Sequence, residues 1–129
     1  MIAVIQCANR KRPEAGYLET PEGQRVCFVA NPEAAPASSM IYARPDDRYS
    51  AAGTWREALL AYNHRQDNPL GLLSAGELYQ NPIYHRLSRH VGSENLYILS
   101  AGWGLIPASF LTRKFHGGLA DVAQAVELA

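Results

Sequence analysis

The sequence predicts an α/β fold, a mostly parallel sheet flanked by helices in a single compact domain spanning 1–129. Three observations carry that prediction. Two short runs, Ile2–Ile5 and Leu96–Leu99, are wholly apolar, the pattern of strands covered on both faces. Two segments between them carry helix start signals. The resulting order of strand, strand, excursion, helix, helix, strand is the alternation that builds a layered α/β sheet.

Each element has a local reason. The Ile2–Ile5 run is stopped by "QCANRKRP", where Asn9, three consecutive cations and Pro13 end regular structure. "RVCFV", Arg25–Val29, reads as a second strand. Asn31–Gly53 then carries Pro32, Pro36 and Pro45, each withholding a backbone donor, and reads as an irregular, ordered excursion. Thr54 opens a helix through the capping box "TWRE", and Trp55, Ala58, Leu59 and Tyr62 share one face of it. Asn68-Pro69 breaks that helix, and "SAGE" at Ser74–Glu77 offers a weaker cap. In "QNPIYHRLSRHVG", Asn81 is the expected N-cap, Pro82 the first helical residue and Gly92 the stop, with Ile83, Tyr84, Leu87 and Val91 facing inward. "NLYILS" is the strongest strand in the chain.

Composition excludes several classes. Hydrophobic residues make up 47% and charged residues 19%, as in an ordinary globular protein. Twelve basic residues balance twelve acidic ones, which lacks the signature of a protein that coats nucleic acid non-specifically. The start has no basic-then-apolar export signal, and no stretch approaches a membrane span, so no membrane partner is expected. Cys7 and Cys27 therefore read as reduced thiols in a cytoplasmic protein.

Chemistry concentrates at two strand ends. One is Gln6-Cys7-Ala8-Asn9-Arg10-Lys11; the other is Ser100-Ala101-Gly102-Trp103-Gly104. Ligands of open α/β sheets sit beyond the carboxyl ends of strands, so neighbouring strands would bring both ends into one crevice. In that crevice Asn9, Lys11 and the Gly102 and Gly104 backbone would hold an anion, Trp103 would wall a base or sugar, and Ser100 would donate a hydroxyl. The competing account makes the glycines a tight turn and Trp103 a core plug. Cys7 beside Arg10 and Lys11 is a candidate nucleophile, against the ordinary role of a small buried hydrophobe. Tyr79 and Asn81 bracket a helix N-terminus that favours an anion. His85 and His90 lie on different helix faces, so with Cys7 and Cys27 they make no zinc site; no metal or cofactor is predicted. Asp46-Asp47 with Arg44 and Arg48 reads as a solvated loop surface.

The pair "ELYQNPIYHRL … LYILSAGWGLI", behind a first strand ending in a Cys- and Lys-containing loop, resembles the YaaA-like superfamily of peroxide-stress proteins and small uncharacterised bacterial domains. The match covers Ile2–Lys11 and Gly76–Leu111. Beyond Thr112 the family pattern continues with Pro, Tyr and Asp, whereas this chain reads "RKFHGGLADVAQAVELA", so its C-terminal part is expected to be divergent, frame-altered or truncated. The resemblance implies oxidative-stress or DNA-linked roles. Taken together, the residues predict a pocket for a phosphate-bearing nucleotide or nucleobase, with Cys7 and Ser100 as catalytic candidates. The rivals are a nucleic-acid-binding module that takes DNA through Arg10–Arg12, Arg44 and Arg48, and a non-catalytic interaction protein.

Overall fold

The computed structural model describes residues 1–8, 11–12 and 15–116. Its strands in chain order are β1 (Ala3–Gln6), β2 (Val26–Val29), β3 (Ile41–Ala43), β4 (Arg48–Ser50), β5 (Gly53–Thr54), β6 (Leu73–Ser74), β7 (Leu96–Ser100), β8 (Gly104–Pro107), β9 (Leu111–Thr112) and β10 (Phe115–His116). The α-helices are α1 (Trp55–Asn63), α2 (Ala75–Leu78) and α3 (Ile83–Val91).

These strands form four small sheets rather than the one mostly parallel sheet that the sequence predicts. β1, β7 and β8 make a mixed sheet in that order, with β1 parallel and β8 antiparallel to β7. β10, β2 and β3 make a parallel one. β4–β5 and β6–β9 are antiparallel pairs. The departure has a local cause. Only Ala101–Trp103 separate β7 from β8, and so short a connection returns antiparallel, since a parallel pair needs a crossover of a dozen or more residues. The same holds for β4 and β5. With two nine-residue α-helices and one of four, the described residues also hold too little helix to cover both faces of a large sheet.

The β1–β7 pairing itself follows the two matching apolar runs. Ala3 faces Leu96 and Gln6 faces Leu99 in parallel register, and the Cys7 N–H donates to the Leu99 carbonyl at 3.0 Å. Cys7 and Ser100 therefore leave the sheet at the same edge. The expected two-sided cover is absent, however. Leu96, Ile98 and Ile106 point into the core, while Val4, Leu99 and Leu105 stand outward at 59%, 47% and 58% exposure. An unbroken apolar run hides the two-residue alternation that would have distinguished inner from outer face.

The stretch 31–53 contains no helix beyond a single 3-10 turn at Pro32–Ala34, and much of it is irregular. It is nonetheless structural rather than an excursion. β3 from this stretch pairs with β2, all four residues of which are buried, and Ala43 joins the core. The β-branched and aromatic residues of "MIY" explain a strand among the prolines.

α1 begins as its capping box dictates. The Glu57 N–H donates to Thr54 Oγ1 at 3.2 Å and the Thr54 N–H to Glu57 Oε1 at 3.1 Å. Trp55, Leu59 and Tyr62 bury its inner face. At its far end Asn63 donates to the Leu59 and Leu111 carbonyls and accepts the Leu111 N–H, which ties α1 to β9. α3 starts one residue later than expected, but Asn81 still caps it by accepting the Ile83 N–H at 3.0 Å. Tyr84 is buried, and Ile83, Leu87 and Val91 pack partly buried behind it. The main core joins Phe28 of β2, Trp55 and Leu59 of α1, Leu78 of α2 and Ile98 of β7. Cys27, Val29 and Met40 form a smaller cluster. Among the described residues no helix is long and apolar enough to cross a membrane.

Removing the α1 cap tests this account of the helix. Thr54→Ala should lower unfolding stability by about 1 kcal/mol, read as a lower denaturant midpoint with an unchanged slope.

Candidate functional site

The shared edge of β1 and β7 gathers a thiol and three hydroxyls. Tyr79, at the end of α2, is 4% exposed, and its hydroxyl lies close enough to the Ser100 and Cys7 side chains for both to act on its ionisation. Its ring stacks on Tyr84 with centroids 5.1 Å apart, and the Tyr84 hydroxyl donates to the Gln6 carbonyl at 2.6 Å. Burial above all pushes the Tyr79 hydroxyl well above the ordinary phenol range; proximity to Cys7 adds to this, and Ser100 opposes it. Burial and Cys7 likewise raise Tyr84. Both tyrosines are therefore neutral at physiological pH, available as hydrogen-bond donors and not as bases.

The N-terminal segment runs alongside this cluster. Lys11 forms an antiparallel bridge with Tyr79. The Arg12 N–H donates to the Leu78 carbonyl at 2.8 Å, and Arg12 Nε donates to the Glu77 carbonyl at 2.7 Å. Between that segment and the start of α3 lies a cleft of about 470 Å³, with Arg12, Tyr79, Gln80, Asn81 and His85 in its walls. Of the residues predicted from sequence, Cys7, Lys11, Tyr79, Asn81 and Ser100 thus meet in one region. Asn9 lies outside the described residues, as does Arg10.

The Ser100–Gly104 turn does something different from what its sequence suggests. Trp103 is 5% exposed, packs edge-on against Phe28 at 4.8 Å between ring centroids, and donates its indole N–H to the Arg113 carbonyl at 2.8 Å. It is a core residue, and it also contributes to the wall of a smaller apolar cleft of about 260 Å³ beside Leu60, Leu105 and Phe110. The Trp103 N–H donates to Ser100 Oγ at 3.2 Å, so it does not point at a ligand. Gly102 faces the Phe115 ring so closely that any β-carbon there would clash. Gly104 has φ +82°, a conformation that residues with side chains rarely adopt. The glycines therefore serve packing and turn geometry, and neither the anion-holding role expected of the Gly102 and Gly104 backbone nor the base-walling role expected of Trp103 has support in their contacts.

Arg56 is the residue the sequence did not announce. From the first turn of α1 it donates to the Trp103 and Gly102 carbonyls at 2.8 and 2.9 Å, and its Nε lies 2.7 Å from Asp46 Oδ1. The only hint was its place inside the "TWRE" box, where attention falls on Thr54 and Glu57. Asp46 is 73% exposed, as a loop surface would be, yet it orients this arginine, which lowers its own pKa through that hydrogen bond. Arg44 pairs with Glu33 at 2.9 Å, and Arg48 donates to the Ala51 carbonyl. Among the described residues no group of three or more His, Cys, Asp or Glu side chains is arranged to hold a metal ion.

No family model matches the chain, and no curated protein or solved structure matches it either.

Two measurements follow from these positions. Trp103→Leu should destabilise the fold by about 3 kcal/mol, the scale of a large-to-small core change, in an equilibrium melt. Both cysteines are free thiols, but Cys7 is half-buried while Cys27 is 1% exposed and raised by burial. Iodoacetamide at mildly alkaline pH should therefore label Cys7 in the native protein and Cys27 only after denaturation, as peptide mapping would show.

Proposed function

We propose that the protein binds a phosphate-bearing nucleotide or a nucleobase in the cleft between the Lys11–Arg12 segment and the start of α3. The observation that carries this reading is the convergence of Cys7, Tyr79 and Ser100 where β1 and β7 end, with Tyr79 also standing in the wall of a polar cleft. Arg12 and His85 offer the charge and imidazole that suit a phosphate, and the amides of Gln80 and Asn81 present donors and acceptors suited to the edge of a base. The resemblance of "ELYQNPIYHRL" and "LYILSAGWGLI" to YaaA-like proteins points to the same region, and a cytoplasmic location fits two reduced thiols. In a catalytic version of this site, Cys7 is the nucleophile candidate and Tyr79 the neutral donor beside it, with Ser100 holding the Tyr79 hydroxyl in place.

Titration calorimetry with a purine mononucleotide and with the free base tests the proposal. Saturable binding is expected, weakened about fivefold in Gln80→Ala, the scale of one lost hydrogen bond. Absence of binding by both mononucleotide and base would remove the reading.

A further inference from the structure

A second cationic feature lies away from that cleft. Arg113 is 1% exposed, and its Nε and Nη1 are buried without any hydrogen-bond partner. Its guanidinium lies 4.3 Å over the Tyr17 ring, and the guanidinium of Arg25, an exposed residue, lies 4.9 Å from the same ring. Lys114 is buried next to it in sequence, and the charges of Arg113 and Lys114 both act on the buried Cys27 thiol. No ion pair joins Arg113 to a carboxylate among the described residues. Burial pushes Arg113 down to about 10, with the Arg25 charge pressing in the same direction against the Tyr17 and Cys27 contributions.

An isolated buried guanidinium is costly, and the cost rises when a second cation repels it across one ring. Nε and Nη1 lie on different edges of the guanidinium, and each is left with an N–H able to make a charge-assisted hydrogen bond to an oxyanion. The half-buried Tyr17 ring is shared by the buried guanidinium of Arg113 and that of exposed Arg25. We propose that Arg113, with Arg25 across the Tyr17 ring, is an anion site that takes a phosphate-class oxyanion, separate from the cleft beside Tyr79. The anion supplies a counter-charge that Arg113 does not find among the described residues.

Thermal unfolding of the whole chain, in chloride buffer with inorganic phosphate added at constant ionic strength, reads the site directly. Because a ligand that binds only the folded state stabilises it, the Tm should rise with phosphate and level off. Arg113→Met removes the guanidinium while keeping an apolar side chain of similar length, and it should fold but lose that rise; should it fail to fold, Arg113→Lys keeps the charge without the guanidinium and should show a smaller rise. A parallel series with AMP distinguishes the source. A rise with both, or with inorganic phosphate alone, assigns a free anion; a rise with AMP alone that Arg113→Met abolishes assigns the phosphate of a larger ligand. The proposal is overturned by no response in the parent protein to either compound, or by an equal response in the Arg113 variants. A response that disappears in Gln80→Ala while surviving in the Arg113 variants belongs to the cleft and also overturns it.

Discussion

The burial of Trp103 is the constraint on which the rest of the arrangement depends. Its ring touches Phe28 of the parallel sheet while its backbone continues the turn between β7 and β8 of the mixed sheet. Its indole N–H reaches the Arg113 carbonyl, just ahead of β10, so one side chain links the two three-stranded sheets and the strand that follows. Arg56 then fixes the turn from outside the sheets by holding the Gly102 and Trp103 carbonyls. A half-buried, bidentate-capable donor on two carbonyls is a strong restraint, because charge-assisted hydrogen bonds exceed neutral ones by about twofold. With the tryptophan fully engaged, a ligand at this end of the protein has to be met by other residues.

Those residues are supplied by the opposite side of the Ser100 junction. Ser100 accepts the Trp103 N–H and also lies beside the Tyr79 hydroxyl, so it connects the core turn to the thiol–hydroxyl cluster. Tyr79 in turn stands in the wall of the polar cleft and bridges to Lys11. The site is thus built from a rigid sheet edge on one side and a short connection, Tyr79–Pro82, on the other. Side chains are most precisely held when their own partners are fixed by packing, and here the Tyr84 hydroxyl is held by the Gln6 carbonyl while its ring stacks on Tyr79.

Much of this was legible in the sequence where local chemistry decides. The "TWRE" box fixed the start of α1, Asn81 and Gly92 bounded α3, and two unbroken apolar runs identified the parallel pair β1–β7. The meeting of Cys7 with Ser100 followed from that pairing. What sequence could not reveal was non-local. Nothing in "SAGWG" distinguishes a tryptophan facing a ligand from one facing Phe28, since the answer depends on a residue 75 positions away. Uninterrupted apolar runs concealed that Val4 and Leu99 stand on an open face. The sheet arrangement was misjudged because strands of two or three residues, such as β5, β6 and β9, are too short to leave a periodic trace. Arg56 was invisible because its partners are backbone carbonyls, which carry no residue identity.

The central claim is that ligand recognition and core packing are divided across Ser100, with the cleft on one side and Trp103 on the other. Proton–nitrogen NMR of the labelled protein, titrated with a purine mononucleotide, tests it in one experiment. The account predicts that the amides of Lys11, Arg12, Gln80, Asn81 and Ile83–His85, together with the Gln80 and Asn81 side-chain amides, shift progressively while the Trp103 indole N–H stays in place. A dominant shift of the Trp103 indole with the cleft amides unmoved would contradict it.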